Sequence, residues 1–222
     1  MASGILLQWK ELTGLTIADG YGLTEMMPVT YNHFHLEHHR TGSVGQPVFG
    51  VELQIRGADG TEVEANEKGE VSVRGTNLMK GYLHNLEATK EAFWTDGWLH
   101  TGDIGTVDSD GYVYIVDRLK DLIITGGENV YPREVEEVLY SMPGIEDCSV
   151  VGVPDPEWGE KVVVYLIPRT GKKLDIKELN AFLDKRLSSF KIPKEYIQVE
   201  ELPKSPQGKI LRREVRKLYD PS

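Results

Sequence analysis

Two apolar rhythms divide the chain. Up to Arg118 most apolar residues alternate with polar ones, the two-residue period of half-buried strands. In VELQIRGADGTEVEANEKGEVSVRG (51–75) the alternation flanks Asp59-Gly60 and Lys68-Gly69, which predicts a hairpin-like pair of strands. IGTVDSDGYVYIVDR repeats the pattern, with Asp110-Gly111 turning between Ile104–Val107 and Tyr112–Val116.

Beyond Arg118 the period changes. Pro132 suits the first turn of a helix, where its missing N–H is not needed, and Val135, Val138, Leu139 and Met142 then share one face. CSVVGV and KVVVYLIP are β-branched runs fit for short strands. DIKELNAFLDKRL places Asp175 and Glu178 as a capping box and aligns Ile176, Leu179, Phe182, Leu183 and Leu187 in a stripe. YIQVEEL reads as a strand, and KILRREVRKLY as a closing helix with Leu211, Val215 and Leu218 inward. The expected fold class is mixed α/β (α+β). A β-rich portion, residues 1–118, precedes a small αβ domain, residues 119–222, with the joint at Leu119–Lys120.

Composition narrows the class. With 222 residues, 40% hydrophobic and 27% charged, the chain is that of an ordinary globular protein. No apolar run approaches the ~20 residues of a membrane helix, so no transmembrane segment is expected. The opening MASGILLQWKELTG meets charge too early for a secretory signal. Cys148 is the single cysteine, which excludes an internal disulfide and fits a reducing, cytoplasmic setting. A net charge of −10 argues against nucleic-acid binding. From Pro203 onward, however, six lysines and arginines face only Glu214 and Asp220. Such a basic tail is either a solvated helix face or a side that meets a small anion.

Several short stretches could hold chemistry, and each has a plainer reading. In DGYGLTE (19–25), Tyr21 offers an aromatic face, Gly22 a close approach, Thr24 a phosphate donor and Glu25 a Mg²⁺ ligand; a glycine-rich turn with a core tyrosine would look the same. WLHTGDIG (98–105) presents Asp103, whose carboxylate can accept two hydrogen bonds from paired hydroxyls or simply cap a turn. Asp117 and Arg118 end a strand and could be a surface ion pair. PKSPQGK sets Lys209 behind a Pro/Gly loop, as a mobile cation or a solvated side chain. TGGENVYPREVEE places Gly126 and Gly127 beside a helix start. His35, His38 and His39 match a HxxHH box, yet a loop of exposed histidines fits better than a metal site. Cys148, inside an apolar strand, suits packing better than nucleophilic attack.

Taken in order, YGLTE, TGD, DRLKDLIITGGENVYPREVEE and PKSPQGK resemble the adenylate-forming superfamily, and within it the acyl-CoA synthetases, from about Leu12 to the end. The resemblance implies a two-step ligase. ATP and a carboxylic acid give an acyl-adenylate and pyrophosphate, and the thiol of coenzyme A then displaces AMP. It further implies that Tyr21 lies against adenine, with Gly22 beside it. Thr24 would contact phosphate and Glu25 would hold Mg²⁺. Asp103 and Arg118 would hold the ribose, Lys209 would bridge carboxylate and α-phosphate, and Lys120 would be the hinge. Gly126 and Gly127 would leave room for the pantetheine arm when the C-terminal lid domain swings.

The family also has a phosphate loop and a large domain upstream of YGLTE, and nothing before that motif here matches either. The expectation is therefore the last part of a synthetase, inactive alone in adenylation, with an exposed inner surface prone to self-association or to meeting the missing N-terminal portion. A nucleotide- or partner-binding fragment without chemistry, or a luciferase-like relative, would carry the same motifs. Met26, Met27, Pro28 and Val29 would form an apolar pocket wall, which favours an alkyl or aryl chain over acetate, with a fatty acid as the expected substrate.

Overall fold

The computed structural model describes residues 9–33, 38–169 and 174–220. The chain divides into two compact units, Met1–Leu119 and Lys120–Ser222. No helix among the described residues is long and apolar enough to cross a membrane.

The first unit holds two antiparallel sheets. One orders β1 (Gly20–Leu23), β2 (Met26–Tyr31) and β3 (Gln46–Pro47); the other orders β4 (Val51–Arg56), β5 (Gly69–Gly75), β6 (Leu99–Val107) and β7 (Val113–Arg118). Met26 and Val29 from the first sheet bury with Ile55, Val71, Val73 and Leu99 of the second in one core. A short helix, α1 (Leu86–Glu91), is capped by the Asn85 side chain, which accepts from the Ala88 N–H at 3.0 Å.

Both expected hairpins form. Residues 57–68 connect β4 to β5, and Asp59-Gly60 makes a local turn inside that connection, closed by the Gly57 N–H donating to the Thr61 carbonyl at 2.9 Å. Gly111 turns β6 into β7 with a φ of +83°. β6 starts at Leu99, earlier than the alternation suggests, and so includes His100 to Asp103.

The second unit is built on β10 (Ile145–Asp155) and β11 (Gly159–Pro168), a long antiparallel pair, with β12 (Glu195–Gln198) parallel to β11. The hairpin of β8 (Ile123–Thr125) and β9 (Glu128–Val130) joins at Gly159. Helices cover both faces, which is why these strands read as unbroken apolar runs. Cys148, Val150, Val162, Val164 and Leu166 bury with α2 (Pro132–Tyr140) through Val135 and Leu139, and with α3 (Ile176–Asp184) through Leu179 and Leu183. Val151, Val153, Val163 and Tyr165 bury on the other face with Leu202 and with Val215 of α4 (Arg212–Arg216).

Three expectations change in detail. Asp175 caps α3 by accepting from the Lys177 N–H at 2.8 Å, but Ile176 is exposed and the helix ends at Asp184. The closing helix is only Arg212–Arg216. A single turn brings Val215 inward while Ile210 and Tyr219 flank it, and Leu211 and Leu218 stay exposed.

Candidate active site

YGLTE is the tip of the β1–β2 hairpin. Leu23 pairs with Met26, so Thr24 and Glu25 form the two-residue loop. The register slips between Tyr21 and Leu23, and Gly22 sits in that slip, where a Cβ would approach the Met27 Cγ to 3.2 Å. Thr24 is exposed. Glu25 is half-buried and accepts the Tyr82 hydroxyl at 2.8 Å. The glycine-rich turn and the core-packed tyrosine are thus both present.

TGD is a bulge in β6. Glu70 faces Ile104 and Ser72 faces His100, so two steps along β5 oppose four along β6. Thr101, Gly102 and Asp103 fill the excess, and Gly102 takes a φ of +67° that favours glycine. The lost ladder bonds are replaced by a side chain: the Thr101 hydroxyl donates to the Val71 carbonyl at 2.6 Å and accepts from the Asp103 N–H at 3.1 Å. Asp103 therefore does not cap a turn.

The bulge delivers Asp103 to a buried meeting point. Its Oδ2 accepts the Tyr21 hydroxyl at 2.6 Å, and its Oδ1 pairs with Nε of Arg118 at 2.6 Å. Arg118 stands directly opposite Asp103 in the β6–β7 register. Only one end of the pair is at the surface, with the Asp103 side chain 7% exposed and that of Arg118 57%. Burial pushes the Asp103 carboxyl above its ordinary range; Tyr21 and Arg118 pull it down, while Glu70 and Asp117 push it further up. Burial, reinforced by the Asp103 charge, also drives the Tyr21 phenol far above its usual value. A carboxylate has about four acceptor positions. Two of these are used internally, by Tyr21 and Arg118.

Glu25 offers one carboxylate on a hairpin tip. Among the described residues no group of three or more His, Cys, Asp or Glu is arranged to hold a metal. A lone carboxylate such as Glu25 could contribute to a magnesium ion only where substrate phosphates supply further oxygens, the usual mode for that ion. His33 and His38 are exposed, His39 is half-buried with Nε2 at 3.2 Å from the Ile17 carbonyl, and His35 lies outside the described residues. Cys148 is fully buried, and burial raises its thiol well above the ordinary value.

Within the second unit, Gly126 and Gly127 form the two-residue loop of the β8–β9 hairpin, with φ of +58° and +84°. Positive φ at both positions is the type I′ pattern that matches strand twist. A Cβ on Gly126 would lie 2.7 Å from the Trp158 ring, whereas Gly127 faces open space. Lys209 is exposed at the end of a small loop, held by the Ser205 N–H donating to the Lys209 carbonyl at 2.8 Å. Next to it lies a cleft of about 530 Å³ lined by Lys120, Asp121, Ile210, Leu211, Arg213 and Arg216, among others. Arg212, also on this cleft, is engaged by Glu136 and, at 3.3 Å, by Asp121.

Tyr21, Asp103 and Arg118 are brought together; Gly22, Thr24 and Glu25 share the hairpin that supplies Tyr21. Gly126, Gly127 and Lys209 belong to the second unit. Sequence reading missed Thr101, Tyr82 and Glu70. Thr101 was visible as the hydroxyl inside TGD, but the other two lie far from any motif.

The family model for AMP-binding enzymes matches residues 1–83, and that for the AMP-binding enzyme C-terminal domain matches residues 134–209. The chain is 47% identical over 208 residues to a feruloyl-CoA synthase of an Amycolatopsis species, covering 93% of this chain and 42% of that protein. It is 44% identical over 207 residues to a long-chain-fatty-acid–CoA ligase of Bacillus subtilis, covering 93% of this chain and 37% of that protein. Among solved structures, ATP-bound MatB from Rhodopseudomonas palustris superimposes with a TM-score of 0.92 at 36% identity, over 98% of this chain and 43% of that one. The o-succinylbenzoate coenzyme A synthetase of Bacillus subtilis, in complex with ATP and magnesium ion, gives a TM-score of 0.82 at 37% identity, over 93% and 42%. The chain thus spans less than half the length of the relatives it matches, and by both of its parts it belongs to the adenylate-forming enzyme superfamily.

Proposed function

We propose that this chain supplies the nucleotide cradle and the mobile lid of an AMP-forming acid–CoA ligase. The reaction activates a carboxylic acid with ATP to an acyl-adenylate and transfers the acyl group to coenzyme A. The observation that carries this reading is the Tyr21–Asp103–Arg118 cluster, a desolvated carboxylate with acceptor capacity left for a ribose diol. The Tyr21 ring would lie against adenine beside Gly22, Thr24 would contact phosphate, and Glu25 would hold magnesium, which neutralises phosphate charge when bound. Lys209 would bring positive charge to the carboxylate and α-phosphate in the first step. Gly126 and Gly127 would border the pantetheine arm in the second, with the pivot at Leu119–Lys120.

Met26 and Val29 are buried in the first unit's core and do not form the expected pocket wall; the acid is proposed to carry an apolar alkyl chain, in line with exposed Met27 beside the YGLTE tip. An aryl acid is the second reading, favoured by the 47% identity to a feruloyl-CoA synthase. Met27, Phe49, Leu83 and Leu86 of the first unit are exposed, in line with packing against further chain or a second copy.

The test is binding of adenine nucleotide to the chain with and without Asp103→Ala, followed by ATP–pyrophosphate exchange with a fatty acid and with ferulate. Loss of nucleotide binding in the variant is expected. Unchanged binding would overturn the cradle, and exchange above background by this chain alone would overturn its expected inactivity in adenylation.

A further inference from the structure

Glu70 is a buried carboxylate inside a sheet, 8% exposed, with no place in the motifs above. A charged group there is costly unless its oxygens are fully engaged. Both are. The β6 bulge takes the Gly102 N–H out of the strand ladder, and Oε1 of Glu70 accepts it at 3.0 Å. Oε2 meets Nδ1 of His100 at 3.0 Å. The His100 ring is stacked on Trp94, with centroids 4.0 Å apart, and the Trp94 Nε1–H donates to the Ser72 hydroxyl at 2.9 Å. Glu70 is therefore braced from β6, from β5 and from the segment that follows α1.

We infer that Glu70 is a positioning residue for Asp103, an inference that rests on the proposed role of Asp103 in holding the nucleotide ribose. Gly102 immediately precedes Asp103 and takes a left-handed φ of +67° that its own chemistry leaves loose. Fixing its amide fixes the peptide plane from which Asp103 departs. The Thr101 hydroxyl fixes the next amide, that of Asp103 itself, at 3.1 Å. Together they aim a carboxylate whose contacts to Tyr21 and Arg118 are both 2.6 Å and tolerate little rotation. Glu70 also pushes the Asp103 carboxyl upward by like charge, so its presence opposes ionisation of the group it orients. Geometry, not charge, is what Glu70 contributes.

The test compares Glu70→Gln, Glu70→Ala and Asp103→Ala in this chain. Glu70→Gln keeps a carbonyl oxygen for the Gly102 amide. Readouts are amide proton exchange at Gly102 and binding of AMP against 3′-deoxy-AMP. Glu70→Ala is expected to expose the Gly102 amide to exchange, to weaken AMP roughly 10–100-fold and to erase the preference over 3′-deoxy-AMP. Glu70→Gln is expected to preserve the exchange protection and the preference. Glu70→Ala with preference intact, while Asp103→Ala weakens AMP, overturns the positioning role alone. Equal damage in Gln and Ala overturns it too, since the acceptor atom would then not be what matters. AMP binding unaffected by Asp103→Ala overturns the ribose reading and this inference together.

Discussion

The Tyr21 hydroxyl donates to Oδ2 of Asp103 at 2.6 Å across 82 residues of sequence, joining the hairpin tip of one sheet to the bulge of the other. Removing that donor in Tyr21→Phe leaves a buried carboxylate with one partner fewer. The expected loss is about 1.5–3 kcal/mol of unfolding free energy, the range for hydrogen bonds to charged groups. Asp103 should then protonate more readily. Urea unfolding and carbon-13 titration of the Asp103 carboxyl check both, and an unchanged titration would contradict the bond.

Asp103 also predicts a pH dependence. Its carboxyl is held above the ordinary 3.8 in the folded state, chiefly by burial. The folded chain thus binds that proton more tightly than the unfolded chain. Stability attributable to Asp103 is highest in acid and declines as pH rises from 3.8 through the raised value. Asp103→Asn removes this slope. The variant's unfolding free energy, relative to the unsubstituted chain, should climb through that window and then level off. A flat difference would refute the burial argument.

Gly126 and Gly127 should differ although both have positive φ. Alanine at either position is expected to cost about 1–2 kcal/mol for the left-handed backbone. Gly126→Ala costs more, because its Cβ would meet the Trp158 ring at 2.7 Å. Melting of the two variants in the unsubstituted and Trp158→Ala backgrounds should show the gap closing in the second. A gap that persists would place the strain elsewhere.

Lys209 is exposed and contributes little to packing. In an active enzyme containing this sequence, Lys209→Ala should lower adenylation about 100–1000-fold, as for loss of a transition-state charge contact, and spare thioester formation from preformed adenylate. A bulky residue at Gly127 should do the reverse. Stopped assays of each half-reaction distinguish the two, and equal loss in both steps would remove the assigned roles.

Arg212 links α4 to Glu136 of α2 and to Asp121. Glu136 also accepts the Val150 N–H of β10 at 2.9 Å. Arg212→Met removes a shared counter-charge from two largely buried carboxylates, and a loss of about 3–5 kcal/mol is expected. Adding Glu136→Gln should recover part of it. Chemical denaturation of the single and double variants tests the coupling, and strictly additive losses would argue against it.

Hairpins and the Pro132 helix were legible because their signals are local: alternation, turn dipeptides and a helical stripe. Asp103 was legible as a candidate for its motif, but its bulge was not. A bulge is a mismatch between two strands, and only the partner β5 reveals it. Glu70 was invisible for the same reason, since its side chain reaches the Gly102 N–H only through the pairing of β5 with β6. Leu211 and Leu218 misled because helical spacing says which residues share a face, not how long the helix lasts.

The long strands of the second unit, β10 and β11, are covered on both faces, so their interior side chains are closed to a small molecule. Everything proposed to work there, Gly126, Gly127 and Lys209, is on connecting loops rather than strand interiors. Such a body can exchange one rim loop for another while its interior stays as it is, so new thiol or acid preferences could arise without a new fold.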